Sequence, residues 1–353
     1  MSRSVDVANG GRVMGRLGGQ DRYETAAAIA AEFARTGPAA RGAVLASGED
    51  AGQGVDALAG SFLAGHLGVP VLLTRRGDLP DATRAALADL LGSPATGATV
   101  HVMGGTAVVA DAVLDAVRAT GATAVRVSGG DRYGTAAAAA RLGASSIASV
   151  ALLAGAPEAR TALLAGGSAT ADGLSAGPLA FAGRVPLLLT ARDELPAVTR
   201  DALRDLAIGQ VVVLGGTGVV SSRVLDALDA LGVRVVSVPG ATRYDTAAVL
   251  TALASAPQLT GAAGEPDVGG FGLTFADAAQ GYLANGVRFP DALTAGPLAG
   301  RQLRPLFLTA PAALSPETAN VIGAAGVGSL TAVGLVGAVP DAVLAAADAA
   351  ARG

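Results

Sequence analysis

Asp21-Arg22-Tyr23-Glu24-Thr25-Ala26 returns as Asp131-Arg132-Tyr133-Gly134-Thr135-Ala136, and once more as Thr242-Arg243-Tyr244-Asp245-Thr246-Ala247. A fixed period of about 110 residues is the mark of a tandem array of one unit. Three more landmarks keep their order inside each unit. Asp56-Ala57-Leu58 matches Asp172-Gly173-Leu174 and Asp291-Ala292-Leu293. An apolar run ending in threonine recurs at 70–74, 186–190 and 305–309, followed each time by Leu-Pro or Leu-Ser-Pro. Gly104-Gly105-Thr106 matches Gly215-Gly216-Thr217, and the third copy reads Gly334-Leu335-Val336. Repeat boundaries fall at 13–124, 125–233 and 234–353.

Within a unit the periods alternate. In the first copy, apolar runs of strand length (44–47, 69–74, 100–103, 124–128) are separated by Ala/Leu-rich stretches of helical spacing (25–34, 56–66, 80–91, 110–119). Strands that are apolar without alternation have both faces covered, and a βαβα order then gives a mostly parallel sheet flanked by helices. Pro80 is expected in the first turn of a helix with Asp81 at its positive end, and Pro196 and Pro316 repeat the device. Insertions are expected as surface loops at 51–53, 150–155 and 258–272; the last is rich in Gly and Pro.

Bulk properties narrow the class. The chain has 353 residues, 51% hydrophobic but only 3% aromatic, with 50 Gly and no Trp or Cys, so its core must come from Ala, Val and Leu. Without cysteine there are no disulfides and no thiolate metal sites. Every one of the 25 basic residues is Arg and the net charge is −4, which disfavours a nucleic-acid binder. The longest apolar runs fall far short of the ~20 residues that span a bilayer. Residues 1–11 are polar and do not read as a signal peptide, so a secreted protein would have to begin this numbering after a removed signal or another domain.

The Arg-(Leu/Val)-Gly/Ser-Gly-x-Asp-Arg-Tyr-x-Thr-Ala opening, the Asp-Ala-Leu segment and the Pro-(Val/Leu)-Leu-Leu-Thr strand resemble the bacterial cell-wall-binding repeat type 2 family, from about Val13 to the C-terminus. The resemblance implies three Rossmann-like subdomains in a pseudo-threefold triangle and non-covalent, non-catalytic attachment to an anionic secondary polymer of the Gram-positive wall. It also implies an extracellular, cell-surface location, with any enzymatic activity in a separate domain. Three positions depart from the pattern: Thr242 for the motif Asp, Leu335 for the second Gly of Gly-Gly, and Gly173 for the Ala of Asp-Ala-Leu. If all three copies bind, the third is expected to bind differently or less well.

Two readings attend each recurring residue. Arg22, Arg132 and Arg243 open helices, where they suit bidentate bonds to a polymer phosphate or carboxylate; alternatively each pairs with an internal carboxylate, such as Asp21 or Asp56 in copy one, and clamps neighbouring subdomains. Asp56, Asp172 and Asp291 read as helix caps, or as ligand contacts bridging a divalent cation, although Ca²⁺ wants six to eight oxygens. Tyr23, Tyr133 and Tyr244 read as packing residues or sugar platforms. The Gly-Gly-Thr turns lack both the full dinucleotide spacing and a P-loop lysine, so a tight turn is favoured over a phosphate cradle. His66 and His101 have no catalytic motif around them. No cofactor or metal is expected. The competing classes are an assembly module that self-associates on a surface and a small-molecule-binding α/β enzyme.

Overall fold

The computed structural model describes residues 7–9, 12–49, 54–152, 156–168, 170–255, 258–259, 268–269 and 280–352. Three sheets share one order of four parallel strands, and the second adds a short fifth strand, Ser149–Val150, antiparallel to the start of Ala159–Gly166. The first runs Val71–Thr74, Gly42–Ser47, Thr99–Met103, Thr123–Val127, and the second Leu187–Thr190, Ala159–Gly166, Gln210–Leu214, Arg234–Val238. The third runs Leu306–Thr309, Gln280–Asn285, Ser329–Val333, and its fourth strand is Arg16–Leu17 from the opposite end of the chain. Each sheet is thus completed by the strand that opens the next repeat. The first repeat completes the third, so the array closes on itself. Arg16 secures that closure: its buried guanidinium donates to Val339 O at 2.8 Å and pairs with Asp341 at the start of the last helix.

After its first strand, each sheet sends out a helix that runs into the centre of the molecule: Val55–Leu67, then Gly177–Ala182, then Pro290–Arg301. These three central helices touch one another pairwise, which gives the pseudo-threefold arrangement. Residues 55–65 and 290–300 are buried without a break, the pattern of a helix with no solvent face. Where Gly177 meets Gly296 the backbones approach so closely that a Cβ on either would lie 2.8 Å from the other's Cα. In copy two the helix is shorter and preceded by a 3₁₀ turn at Thr170–Ala176, in which Leu58 of copy one occupies the space a Cβ on Gly173 would need. One apolar cluster accordingly runs through all three units, from Ile29 and Phe62 through Phe181 to Leu298.

A second set of helices, Arg22–Arg35, Arg132–Leu142 and Arg243–Ser255, begins at the repeated motif. Each packs on the central helical segment of the preceding sheet and on the Asp81–Leu91, Ala197–Asp205 or Pro316–Ala324 helix of its own repeat, so it bridges two units. Pro80 and Pro196 sit one residue outside their helices with extended backbones, and only Pro316 is a first-turn residue, capped by the Ser315 hydroxyl. The expected irregular loop at 258–272 contributes two short strands, Gln258–Leu259 and Val268–Gly269, paired antiparallel; its remaining residues, like 51–53 and 153–155, lie outside the described ones. The insertion expected as a surface loop at 150–155 is instead packed where it is described: Val150 pairs with Ala159 in a short antiparallel strand and Leu152 is fully buried, because an apolar run gains more from the core than from solvent.

Candidate functional site

The motif aspartates cap the helices that carry the arginines. Asp21 Oδ1 accepts from Tyr23 and Glu24 N–H, both at 2.8 Å, and Asp131 Oδ1 accepts from Gly134 N–H at 2.8 Å. Thr242 keeps the role with other chemistry: its hydroxyl accepts from Asp245 N–H at 3.2 Å, while the Asp245 carboxylate accepts from Thr242 N–H at 2.9 Å, a reciprocal capping box. The substitution therefore leaves the helix start intact.

Capping fixes where each arginine points. Arg132 donates to Gly167 O at 2.6 Å, Arg243 donates to Gly286 O at 2.7 Å, and Arg22 donates to Gly48 O. All three acceptors are the glycine that follows the first parallel strand after the arginine's helix, Gly42–Ser47, Ala159–Gly166 or Gln280–Asn285. The internal partner is thus a backbone carbonyl rather than the carboxylate expected from sequence. The adjoining tyrosine ring edges lie against the same glycines. Tyr23 is buried, with the Arg75 guanidinium 5.1 Å from its ring centre, and burial pushes its hydroxyl up to about 12. Arg22 remains exposed, and Arg132 and Arg243 half-buried.

Asp56, Asp172 and Asp291 do not cap. The capping residues are Gly54 and Phe289 in the first and third copies, and Asp172 sits inside a 3₁₀ turn. Each aspartate is instead buried beneath the glycine that follows the third strand: a Cβ on Gly104, Gly215 or Gly334 would fall 2.6–2.7 Å from its Oδ2. These glycines have φ of +97°, +94° and +94°, so conformation and space both demand Gly. The next position, Gly105 or Gly216, meets no such obstacle, which is why Leu335 is accommodated there. Gly104→Ala is therefore expected to destabilise by about 2–3 kcal/mol and Gly105→Ala by under ~0.5 kcal/mol, as urea melts would measure.

Each aspartate faces an arginine of the following repeat. Asp56 and Arg132 share a cleft of about 170 Å³, and Asp291 and Arg22 share one of about 320 Å³ across the closure between the third and first units. Asp172 lies in the field of Arg243 and hydrogen-bonds Thr246. Burial raises the Asp172 carboxyl above its ordinary value, against those two opposing influences, and pushes Asp291 up to about 6, against the charge of Arg22. The six candidate residues are thus brought together as three Arg–Asp pairs, each across a repeat boundary. The threonine of the motif (Thr25, Thr135, Thr246) and Arg288 join them and were not singled out from sequence. His66 is an interface residue, its Nδ1 3.0 Å from Ser146 Oγ of the second repeat, and burial lowers its proton affinity.

A family model described as cell wall binding domain 2 matches residues 16–114, 126–225 and 238–344. The chain belongs to that family. As a cell wall binding domain 2 chain it is 26% identical, over 90% of its length, to N-acetylmuramoyl-L-alanine amidase LytC of Bacillus subtilis (strain 168), of which the match covers 55%. Among solved structures it resembles Cwp6 from Clostridium difficile, with a TM-score of 0.75 at 20% identity over 99% of this chain and 50% of that one. Cwp8 from the same organism gives 0.74 at 25% identity, over 95% and 50% respectively. The chain spans about half the length of these relatives. Cell wall binding domain 2 folds of this kind are three repeats of mixed α/β structure, as the sequence predicts. Among the described residues no helix is long and apolar enough to cross a membrane, and no group of three His, Cys, Asp or Glu could hold a metal.

Proposed function

We propose that this chain is a non-catalytic module that holds its parent protein on the outside of a Gram-positive cell by binding an anionic secondary polymer of the wall in the grooves between its units. The observation that carries this reading is the threefold recurrence of an arginine that is fixed at one N–H by a backbone carbonyl and still reaches solvent, Arg22 and Arg132 at a cleft between repeats. Such a guanidinium is pre-oriented, so little conformational freedom is lost when phosphate or carboxylate docks on its remaining donors. Three sites on one rigid ring, meeting a repeating polymer, add avidity without new contacts. On this reading the amidase chemistry of the Bacillus subtilis relative belongs to the part of that protein outside the match.

Co-sedimentation with Gram-positive walls, before and after acid stripping of secondary polymers, tests the proposal. Binding is expected to vanish on stripping and to weaken as salt rises. Replacing Arg22, Arg132 and Arg243 together by glutamine should weaken it by roughly tenfold or more, with a thermal melt reporting that the ring still folds. Wall binding that survives both stripping and the triple replacement would sink the polymer reading.

A further inference from the structure

Two surfaces outside the boundary clefts carry opposite charge. The first is a groove of about 560 Å³ between the helices Arg22–Arg35 and Asp81–Leu91 of copy one. Its floor is alanine, with Ala27, Ala31 and Ala34 facing Ala82 and Ala85, and its only charged lining residues are two acids. Glu24 stands in the first turn of one helix and Asp89 near the end of the other. The exposed Asp89 carboxylate has no hydrogen-bond or ion-pair partner among the described residues.

The sister repeats show what this groove lacks. Thr83, Thr199 and Thr318 each donate to a leucine carbonyl of the strand before their helix, which aligns Asp89 with Asp205 and Ala324. The repeated motif aligns Ala31 with Arg141 and Ala252. In copy two Arg141 reaches across the helix pair and bonds Asp205 at 2.8 Å. In copy three both positions are alanine. Copy one alone keeps the acid without the cation, so its groove holds half of an ion pair whose other half is a guanidinium.

The second surface carries spare guanidinium groups. In copy two, Arg200 and Arg204 lie one turn apart on the helix Ala197–Asp205, and Arg223 stands at the start of the helix Ser222–Asp229; the three line one depression of about 430 Å³. All three are exposed, and the guanidinium groups of Arg204 and Arg223 have no partner among the described residues. Asp193 and Glu194 share the depression, but Asp193 pairs with Arg192 at 3.5 Å, which leaves the cations in excess. The fold does not require them. Equivalent positions are Arg84, Ala88 and Ala112 in copy one, and Ala319, Gly323 and Ala342 in copy three. Their placement is locally unfavourable, since Arg200 and Arg204 repel at i,i+4 and Arg223 meets the positive end of its helix.

We propose that these two surfaces bind each other between molecules: the arginine face of copy two in one chain docks into the acidic alanine groove of copy one in a second chain. Alanines let a helix approach closely, the aliphatic stems of the arginines cover them, and a guanidinium meets Asp89 as Arg141 meets Asp205 within one chain. The contact joins two different patches, so each molecule keeps one face free and assembly grows head to tail. It is separate from the polymer reading, because neither surface contains a member of the three Arg–Asp pairs.

Sedimentation velocity of the whole chain over a concentration series tests it. Species larger than the monomer are expected to grow with concentration and to dissolve as salt rises. Each variant borrows residues from a sister copy, and a thermal melt reports that the ring still folds. Ala31→Arg gives the groove copy two's own arginine, and Arg204→Ala with Arg223→Ala installs the residues of copy one. Each should weaken association by about tenfold or more. Mixed together, the two variants retain one intact face apiece and should form a one-to-one dimer and nothing larger. A chain that stays monomeric at every concentration in low salt overturns the proposal, as does assembly that survives either variant. Wall co-sedimentation of the Ala31→Arg chain reads the anchor by itself, so failure of this contact is distinguishable from failure of polymer binding.

Discussion

Replacing Phe33 by alanine is expected to destabilise the protein by about 3–5 kcal/mol, the range for emptying a buried aromatic site. Phe33 is fully buried on the first bridging helix, and its ring meets Phe181 of the second repeat edge-on, with centroids 5.8 Å apart and planes at 84°. On another side lies Arg301 of the third repeat, its guanidinium 4.0 Å from the ring centre while it donates to Pro38 O at 2.6 Å. One side chain thus joins all three repeats. Truncation removes apolar contact from two of them and strips a partly buried cation of its aromatic face. Phe33→Leu, which restores volume but not the ring, should lose no more than about 1.5 kcal/mol. Urea denaturation followed by circular dichroism measures both. A loss under ~1.5 kcal/mol for the alanine variant would mean that the junction collapses around the gap and that the ring is held elsewhere.

Much of this architecture is legible in the sequence because its signals are local. The apolar runs at 44–47 and 100–103 and the helical stretches at 56–66 and 80–91 match the observed elements to within a residue or two, since burial on both sheet faces writes itself as unbroken Val and Leu. The fourth strand of the third sheet is another matter. Arg16–Leu17 is two residues long, too short for any period, and its sheet partners lie more than 300 residues away.

The site shows the same division. The Asp-Ala-Leu segment and the Gly-Gly-Thr turn are each visible as repeats, yet nothing in either says that Asp56 lies under Gly104 or faces Arg132, because those contacts are tertiary and cross a repeat boundary. An Asp near a helix start is ordinarily a cap, and that local rule gives way here to burial beneath a positive-φ glycine. Thr242, by contrast, was readable: Thr-x-x-Asp at a helix start is a reciprocal cap in its own right, so its departure from the motif changes the acceptor and not the function.

Asp291→Asn is expected to stabilise the protein above pH 6, by up to about 2–3 kcal/mol, and to erase part of its pH dependence. Burial holds the Asp291 carboxyl at about 6, above the 3.8 of an exposed aspartate, and the nearby positive charge of Arg22 offsets only part of that. The folded protein therefore binds this proton more tightly than the unfolded chain does. Its favourable contribution is fully present below the unfolded value, declines as pH rises from about 4 to about 6, and is gone above that. Asparagine is neutral throughout, so the two proteins should be equally stable near pH 4 and diverge in favour of the variant by pH 7.5. Urea melts at pH 4.5, 6 and 7.5 would show it. A variant less stable than wild type at pH 7.5 would mean that the pairing with Arg22 outweighs the loss of hydration. Such a gain would mark the groove as a place where the fold tolerates a destabilising charge, and Asp172, also raised by burial, repeats the arrangement in copy two. Under the polymer-binding proposal, the charge kept at these two boundaries at a cost in stability serves the ligand rather than the fold.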